Sequence, residues 1–157
     1  MNSKIFISAV AICLAAVVGW IVFAPDTQPP TRALYADYVP NAAAGQTAFK
    51  RYCTGCHQVV TDAGEKLAGG AAKAGPNLYA LPGRTAGSVQ GFRYSSALTA
   101  ADFRWAAPGF IAYVQDPSAT LKYLTGDESA RSKMAFRLRG DAAAVNAADI
   151  YAWLEGL

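Results

Sequence analysis

Residues 51–60 read RYCTGCHQVV, with Cys53 and Cys56 separated by two positions and His57 directly after the second cysteine. His57 is the sole histidine in 157 residues, and the only other cysteine, Cys13, lies in an apolar leader, so a disulfide framework does not organise this chain. Cys-x-x-Cys has three common uses, and each requires different company. A thioredoxin-like redox pair sits in an alternating strand and helix pattern, whereas the flanks here are GQTAFKRY and an irregular glycine-rich stretch. A structural zinc site needs four ligands, which one histidine and no third nearby cysteine do not conventionally complete. Covalent haem attachment fits directly: in Cys-x-x-Cys-His the thiols add to the haem vinyl groups, and the adjacent imidazole reaches the iron from the same side. A chain tied in this way to a large apolar group folds around it.

Haem iron has a second axial position, whose occupant separates electron carriers from catalysts and gas binders. Besides the initiator, the chain has one methionine, Met134, in SKMAF. A lone methionine is usually core filler. With haem granted and no second histidine, the same residue becomes the candidate sixth ligand, and its soft thioether favours ferrous iron and raises the reduction potential.

Residues 5–24, IFISAVAICLAAVVGWIVFA, form an uncharged run that as a helix is about 30 Å long, the thickness of a hydrocarbon core. Lys4 and the amino terminus are the only positive charges before it, which orients the remainder to the periplasm. A cleaved signal peptide is the competing reading, because Val22-Phe23-Ala24 loosely fits a cleavage site. The run exceeds the roughly 7–15 residues of a signal core, and cleavage would leave Pro25 as the first mature residue. The expected organisation is a transmembrane signal-anchor over 1–24, a periplasmic linker over 25–41 and one folded domain over 42–157, placing the chain in the inner (cytoplasmic) membrane as a single-pass protein. Apolar residues make up 53% of the chain, a share raised by the leader, and the rest has ordinary globular composition. The net charge of +3, with dispersed Lys and Arg, gives no ground for nucleic-acid binding.

Taken together, these motifs resemble class I cytochrome c, the mono-haem, His/Met-ligated family, in a membrane-anchored bacterial form. CTGCH matches its haem signature, GPNLYALPGRTAGSVQGFRYSSAL over 75–98 is similar to its loop after the haem site, and MAF is similar to its ligand-bearing turn. The resemblance runs from about Gly45 to the carboxyl end. It implies an all-α cytochrome c fold of few helices and long loops around one haem c, attached through Cys53 and Cys56 and ligated by His57 and Met134, preceded by one N-terminal transmembrane helix. It further implies that the Pro76 carbonyl accepts from the distal N–H of His57, fixing tautomer and ring orientation. Arg84, Tyr94 and Trp105 match positions around the haem propionates, Tyr113 one close to the methionine ligand, and Ser132 one where a threonine often approaches a propionate. Each also has a plain structural reading: Trp105 and Tyr113 as core aromatics, Arg84 as a solvated loop charge, Pro76 as a turn former.

At the start of the domain, Gly45, Phe49 and Tyr52 share one side of a helix entering the cysteines, with Gly45 allowing close approach. At its end Asn146 is a candidate cap for a helix whose Ile150, Trp153, Leu154 and Leu157 recur at helical spacing, and the two faces are expected to pack. A third helix is expected from about Pro108 to Val114, because Pro117 disfavours helix at Asp116. QVVTDAGEKLAGGAAKAG and DPSATLKYLTGDESARSK are longer than in the mitochondrial form and read as surface insertions. So few helices bury little surface, so haem supplies much of the core and the apo-protein is expected to be largely unfolded.

The function implied is electron transfer without a transformed small-molecule substrate, since bond-making at iron requires Met134 to leave. The resemblance names the partners: a cytochrome bc complex as donor and a terminal oxidase as acceptor, in a respiratory or photosynthetic chain. Lys122, Arg131, Lys133, Arg137 and Arg139 cluster around the methionine segment, either as a docking face for acidic partners or as an ordinary solvated face. The rivals are a fixed haem c subunit of a larger membrane oxidoreductase and a peroxidase-like haem enzyme with a labile Met134.

Overall fold

The computed structural model describes residues 37–71 and 74–157. The expected span over 5–24 and most of the linker fall outside the described residues; among those described, no helix is long and apolar enough to cross a membrane.

Helix α1, Ala42–Tyr52, begins at Asn41, whose side chain accepts from Ala44 N at 3.0 Å, and ends with Lys50 and Arg51 beside its negative pole. It buries Gly45, Ala48 and Phe49 against the last helix, α5 (Ala143–Glu155), which presents Ala147, Ala148, Ile150, Trp153 and Leu154. Small residues let the backbones approach until a Cβ built on Gly45 would land on the Asp149 carbonyl. The Phe49 and Trp153 rings sit 4.8 Å apart beside that contact. Asp149 is 3% exposed, and its carboxylate accepts from Asn41 N at 2.7 Å and from the Tyr38 hydroxyl at 2.9 Å. The packed unit therefore reaches back into the expected linker, as far as Tyr38.

Between these helices lie α2 (Ser96–Thr99), α3 (Ala107–Gln115) and α4 (Pro117–Thr125). Helix α3 packs on both α5 and α4. It starts and ends one residue outside the expected bounds, and Asp116 in extended conformation both ends α3 and caps α4 through Ala119 N at 3.1 Å. The segment containing α4 is not a loop: Leu121 is 0% exposed, and Gly126 closes the helix at φ 66° in the left-handed region. The other expected insertion holds a short antiparallel ribbon, β1 (Val59–Val60) with β2 (Lys66–Ala68), pairing Val59 with Ala68 and burying Val59 completely. The fold is mostly helical, as expected, with one small ribbon added.

Two details of α5 also differ. It starts at Ala143 with no side-chain cap, which puts Asn146 inside the helix, and Leu157 lies beyond its end and is 37% exposed. Packing of Ala143 and Ala144 into the core extends the helix upstream of its expected cap.

Gly45→Ala forces a methyl group into backbone rather than a flexible side chain, so it is expected to cost at least about 2 kcal/mol, towards the top of the usual overpacking range. A lowered urea midpoint with unchanged m-value is the expected reading.

Candidate functional site

The end of α1 and the turn after it place Cys53, Cys56 and His57 on one wall of a cavity of about 330 Å³. His57 N and Cys56 N both bond to Cys53 O, at 2.9 and 3.1 Å, so the motif is folded into a compact turn. No disulfide joins the two cysteines, and Cys56 lies at the surface. Burial, with the nearby Cys56 sulfur, pushes the Cys53 thiol up to about 12.

The His57 ring is fixed from behind. Its Nδ1 donates to the Pro76 carbonyl at 2.9 Å, which a carbonyl permits only if Nδ1 carries the proton. Burial lowers the imidazole pKa, outweighing the carbonyl's opposite influence, so the neutral ring keeps its lone pair on Nε2. Gly75, bonded to Cys56 O at 2.9 Å, passes so close that a Cβ there would land on the ring. Asn77 fastens the same loop to the ribbon, accepting from Val60 N at 3.0 Å and donating to Val60 O at 2.7 Å. The Arg84 guanidinium closes it from the other side, donating to Tyr79 O at 2.8 Å and Asn77 O at 3.0 Å.

Met134 lies on the segment between α4 and α5 and lines the same cavity, as do Pro76, Arg84, Tyr94, Trp105, Tyr113 and Ser132. Every sequence-expected site residue is therefore in this one place. Trp105 in the cavity lining meets Tyr113 beside it and Phe103 behind it edge to face, at centroid distances of 5.0 and 5.1 Å. Burial raises the pKa of Tyr94 and of Tyr113, so both remain phenols at neutral pH. Tyr113 and Ser132 hydroxyls are 2.6 Å apart, and Ser132 Oγ also accepts from Met134 N at 3.0 Å. In these contacts Ser132 serves the turn that carries the methionine.

Several contributing residues escape sequence reasoning. Gly75 leaves only its place before a proline as a signal, and Asn77 only its place after it. Lys133 Nζ donates to Arg93 O at 3.1 Å and Tyr94 O at 2.7 Å, tying the methionine segment across to the opposite loop.

The lining suits a large, flat, mainly apolar group. Its volume falls in the range of cofactor sites, about 300–1,000 Å³. Its lining offers two cysteine sulfurs, an imidazole with an available lone pair and a thioether. Among the described residues, Trp105, 8% exposed, finds no acceptor for its indole N–H, and Arg84 faces no carboxylate within 4.0 Å, so both remain free to meet a buried anion. These features fit a haem, whose carboxylates Arg84 and Trp105 could meet. Among the same residues no group of three His, Cys, Asp or Glu side chains is placed to hold a metal ion by itself.

Known proteins are similar to most of this chain. The chain is 48% identical over 124 residues to a cytochrome c2 of Rhodovulum adriaticum, covering 77% of this chain and 95% of that protein. It is 43% identical over 116 residues to a cytochrome c2 of Cereibacter sphaeroides, covering 71% and 90% respectively. The solved structure of cytochrome c2 from Rhodobacter sphaeroides superposes with a TM-score of 0.70 at 39% identity, covering 76% of this chain and 97% of that one. No family model matches the chain.

Gly75→Ala is expected to push the imidazole off its carbonyl. Nitrogen-edited NMR of His57 should lose the hydrogen-bonded Nδ1–H signal; an unchanged signal would show that the loop absorbs the methyl.

Proposed function

The chain belongs to the class I c-type cytochromes, alongside the cytochromes c2, and from that premise we propose that it carries single electrons with His57 and Met134 as the axial ligands of its iron. One haem c is held covalently through Cys53 and Cys56. The haem supplies the redox chemistry, its iron alternating between ferrous and ferric. The observation that supports the ligand assignment is the shared cavity, which both the His57 imidazole and Met134 line.

The protein's part is to hold geometry constant between the two oxidation states. Pro76 keeps the His57 lone pair forward, Gly75 and Arg84 keep the Pro76 loop in place, and Ser132 sets the methionine turn. Neutral Tyr94 and Tyr113, with Trp105, supply hydrogen-bond donors in a largely apolar surround, and Arg84 supplies a positive charge for a buried propionate. With His57 and Met134 as its ligands the iron would leave no position for a substrate, which supports electron transfer rather than enzymatic turnover.

The tether belongs to the same reading. The run over 5–24 has the length and charge placement of a single membrane span, with the haem domain on the periplasmic side. The first relative is matched almost throughout while about a quarter of this chain is left over, a share close to that of residues 1–36. A linker over 25–37, about thirteen residues, keeps the domain within tens of Å of the bilayer and raises its concentration near membrane partners. A cytochrome bc complex as donor and a terminal oxidase as acceptor suit such a carrier. Of the expected basic cluster, Lys122 and Arg137 are paired with Glu128 and Asp116 at 3.5 and 3.3 Å. Arg131, Lys133 and Arg139 have no carboxylate within 4.0 Å among the described residues, and Lys133 stands at the cavity, which favours a docking face for acidic surfaces.

In purified full-length protein from the membrane fraction, optical and magnetic spectra are expected to show low-spin iron with thioether coordination, lost in Met134→Ala. Retained coordination in that variant removes Met134 from the assignment, and recovery of the protein only in the soluble fraction removes the tether.

A further inference from the structure

Helix α4 reaches the segment that carries Met134. Ser118, in its first turn, accepts through Oγ from the backbone N–H of Ser132 at 3.1 Å. Ser132 Oγ in turn accepts from Met134 N at 3.0 Å, so two consecutive hydrogen bonds connect α4 with the methionine backbone. The far end of the segment is pinned to the same corner of the fold: Leu138 N donates to Val114 O at 2.7 Å, and Arg137 lies 3.3 Å from Asp116 Oδ1.

These attachments differ in weight. The Arg137–Asp116 pair is 42% and 46% exposed, so solvent screening leaves it little strength. The Leu138 bond is backbone to backbone and lies four residues beyond the methionine. The Ser118 bond is half-buried, lies two residues before it, and satisfies an N–H that irregular chain would otherwise leave unpaired. Its base is firm, because α4 is capped at both ends and anchored by fully buried Leu121. Two other ties share the load at the same place, Tyr113 on Ser132 Oγ and Lys133 on the Arg93 and Tyr94 carbonyls, so losing Ser118 alone has a moderate effect.

We propose that Ser118 is a positioning residue for Met134: acting through Ser132, it holds the methionine segment against the cavity and sets how readily another ligand displaces the sulfur from iron. The inference rests on Met134 being that ligand.

Imidazole titration of the ferric holo-protein tests it. Ser118→Ala is expected to bind imidazole roughly two- to tenfold more tightly than wild type, the span covered by one hydrogen bond of ordinary strength, and Ser118→Thr to restore the wild-type value. Thr125→Ala is the control, since it removes a hydroxyl bonded to Leu121 O at 2.7 Å at the other end of α4 without touching the methionine segment. Unchanged affinity in Ser118→Ala overturns the proposal, as does an equal gain in Thr125→Ala at matched loss of unfolding stability. Hydrogen exchange adds a readout that needs no variant: the Ser132 amide should be protected in wild type and exposed in Ser118→Ala, with Leu138 protection retained. Rapid exchange of Ser132 in wild type overturns the proposal by itself. Failure of the ligand assignment looks different, because Met134→Ala would then leave iron coordination intact while Ser132 protection persisted.

Discussion

The fold is organised around a volume that its own side chains do not fill. At about 24 cal/mol per Å³, leaving some 330 Å³ of largely apolar cavity dry would cost about 8 kcal/mol, comparable with the whole stability of an ordinary domain, about 5–15 kcal/mol. The exposed rim at Cys56, Ala135 and Phe136 admits water and lessens that figure, but water gains little from apolar walls. The covalent cofactor is therefore a structural element as well as a redox one. The chain around it divides into two supports: the α1–α5 crossing, where Gly45 lets the backbones meet, and the α3–α4 corner, which holds the methionine segment.

The two supports serve one chemical end. The first delivers Cys53, Cys56 and His57 from the end of a helix that Phe49 and Trp153 hold in place, and the Pro76 loop fixes the imidazole tautomer. The second carries Met134 on irregular chain whose hydrogen bonds go to Tyr113, Ser118, Val114 and the loop at residues 93–94. A site whose side chains and hydrogen bonds are so tied before an electron arrives has little to rearrange when it does. That rigidity separates a carrier from a catalyst, in which one axial position must open.

Much of this was legible in the residues. Cys53, Cys56 and His57 announce themselves by spacing, and the one available methionine follows by elimination once haem is granted. Gly45 and the α3 helix follow from local rules about close approach and proline. What escaped was tertiary. Asn146 has a capping side chain, yet α5 continues upstream because Ala143 and Ala144 find a core to pack against. Gly75, Asn77 and Ser118 act through contacts with chain 14 to 19 residues away, and such contacts leave no periodicity to read. Helix α4 did carry signals, an Asp-Pro start and a glycine after its last turn, but its single deeply buried leucine among polar neighbours has the look of a loop.

The most direct test is of the cofactor as core. Calorimetry and circular dichroism of the haem domain, with haem attached and with Cys53 and Cys56 both changed to serine so that none is held, compare the two states. A cooperative transition with the helical signal only in the haem-bearing form is the expected result. A haem-free domain that kept its helices and melted cooperatively within a few kcal/mol of the other would show that the chain closes this volume unaided and that haem is not part of the core.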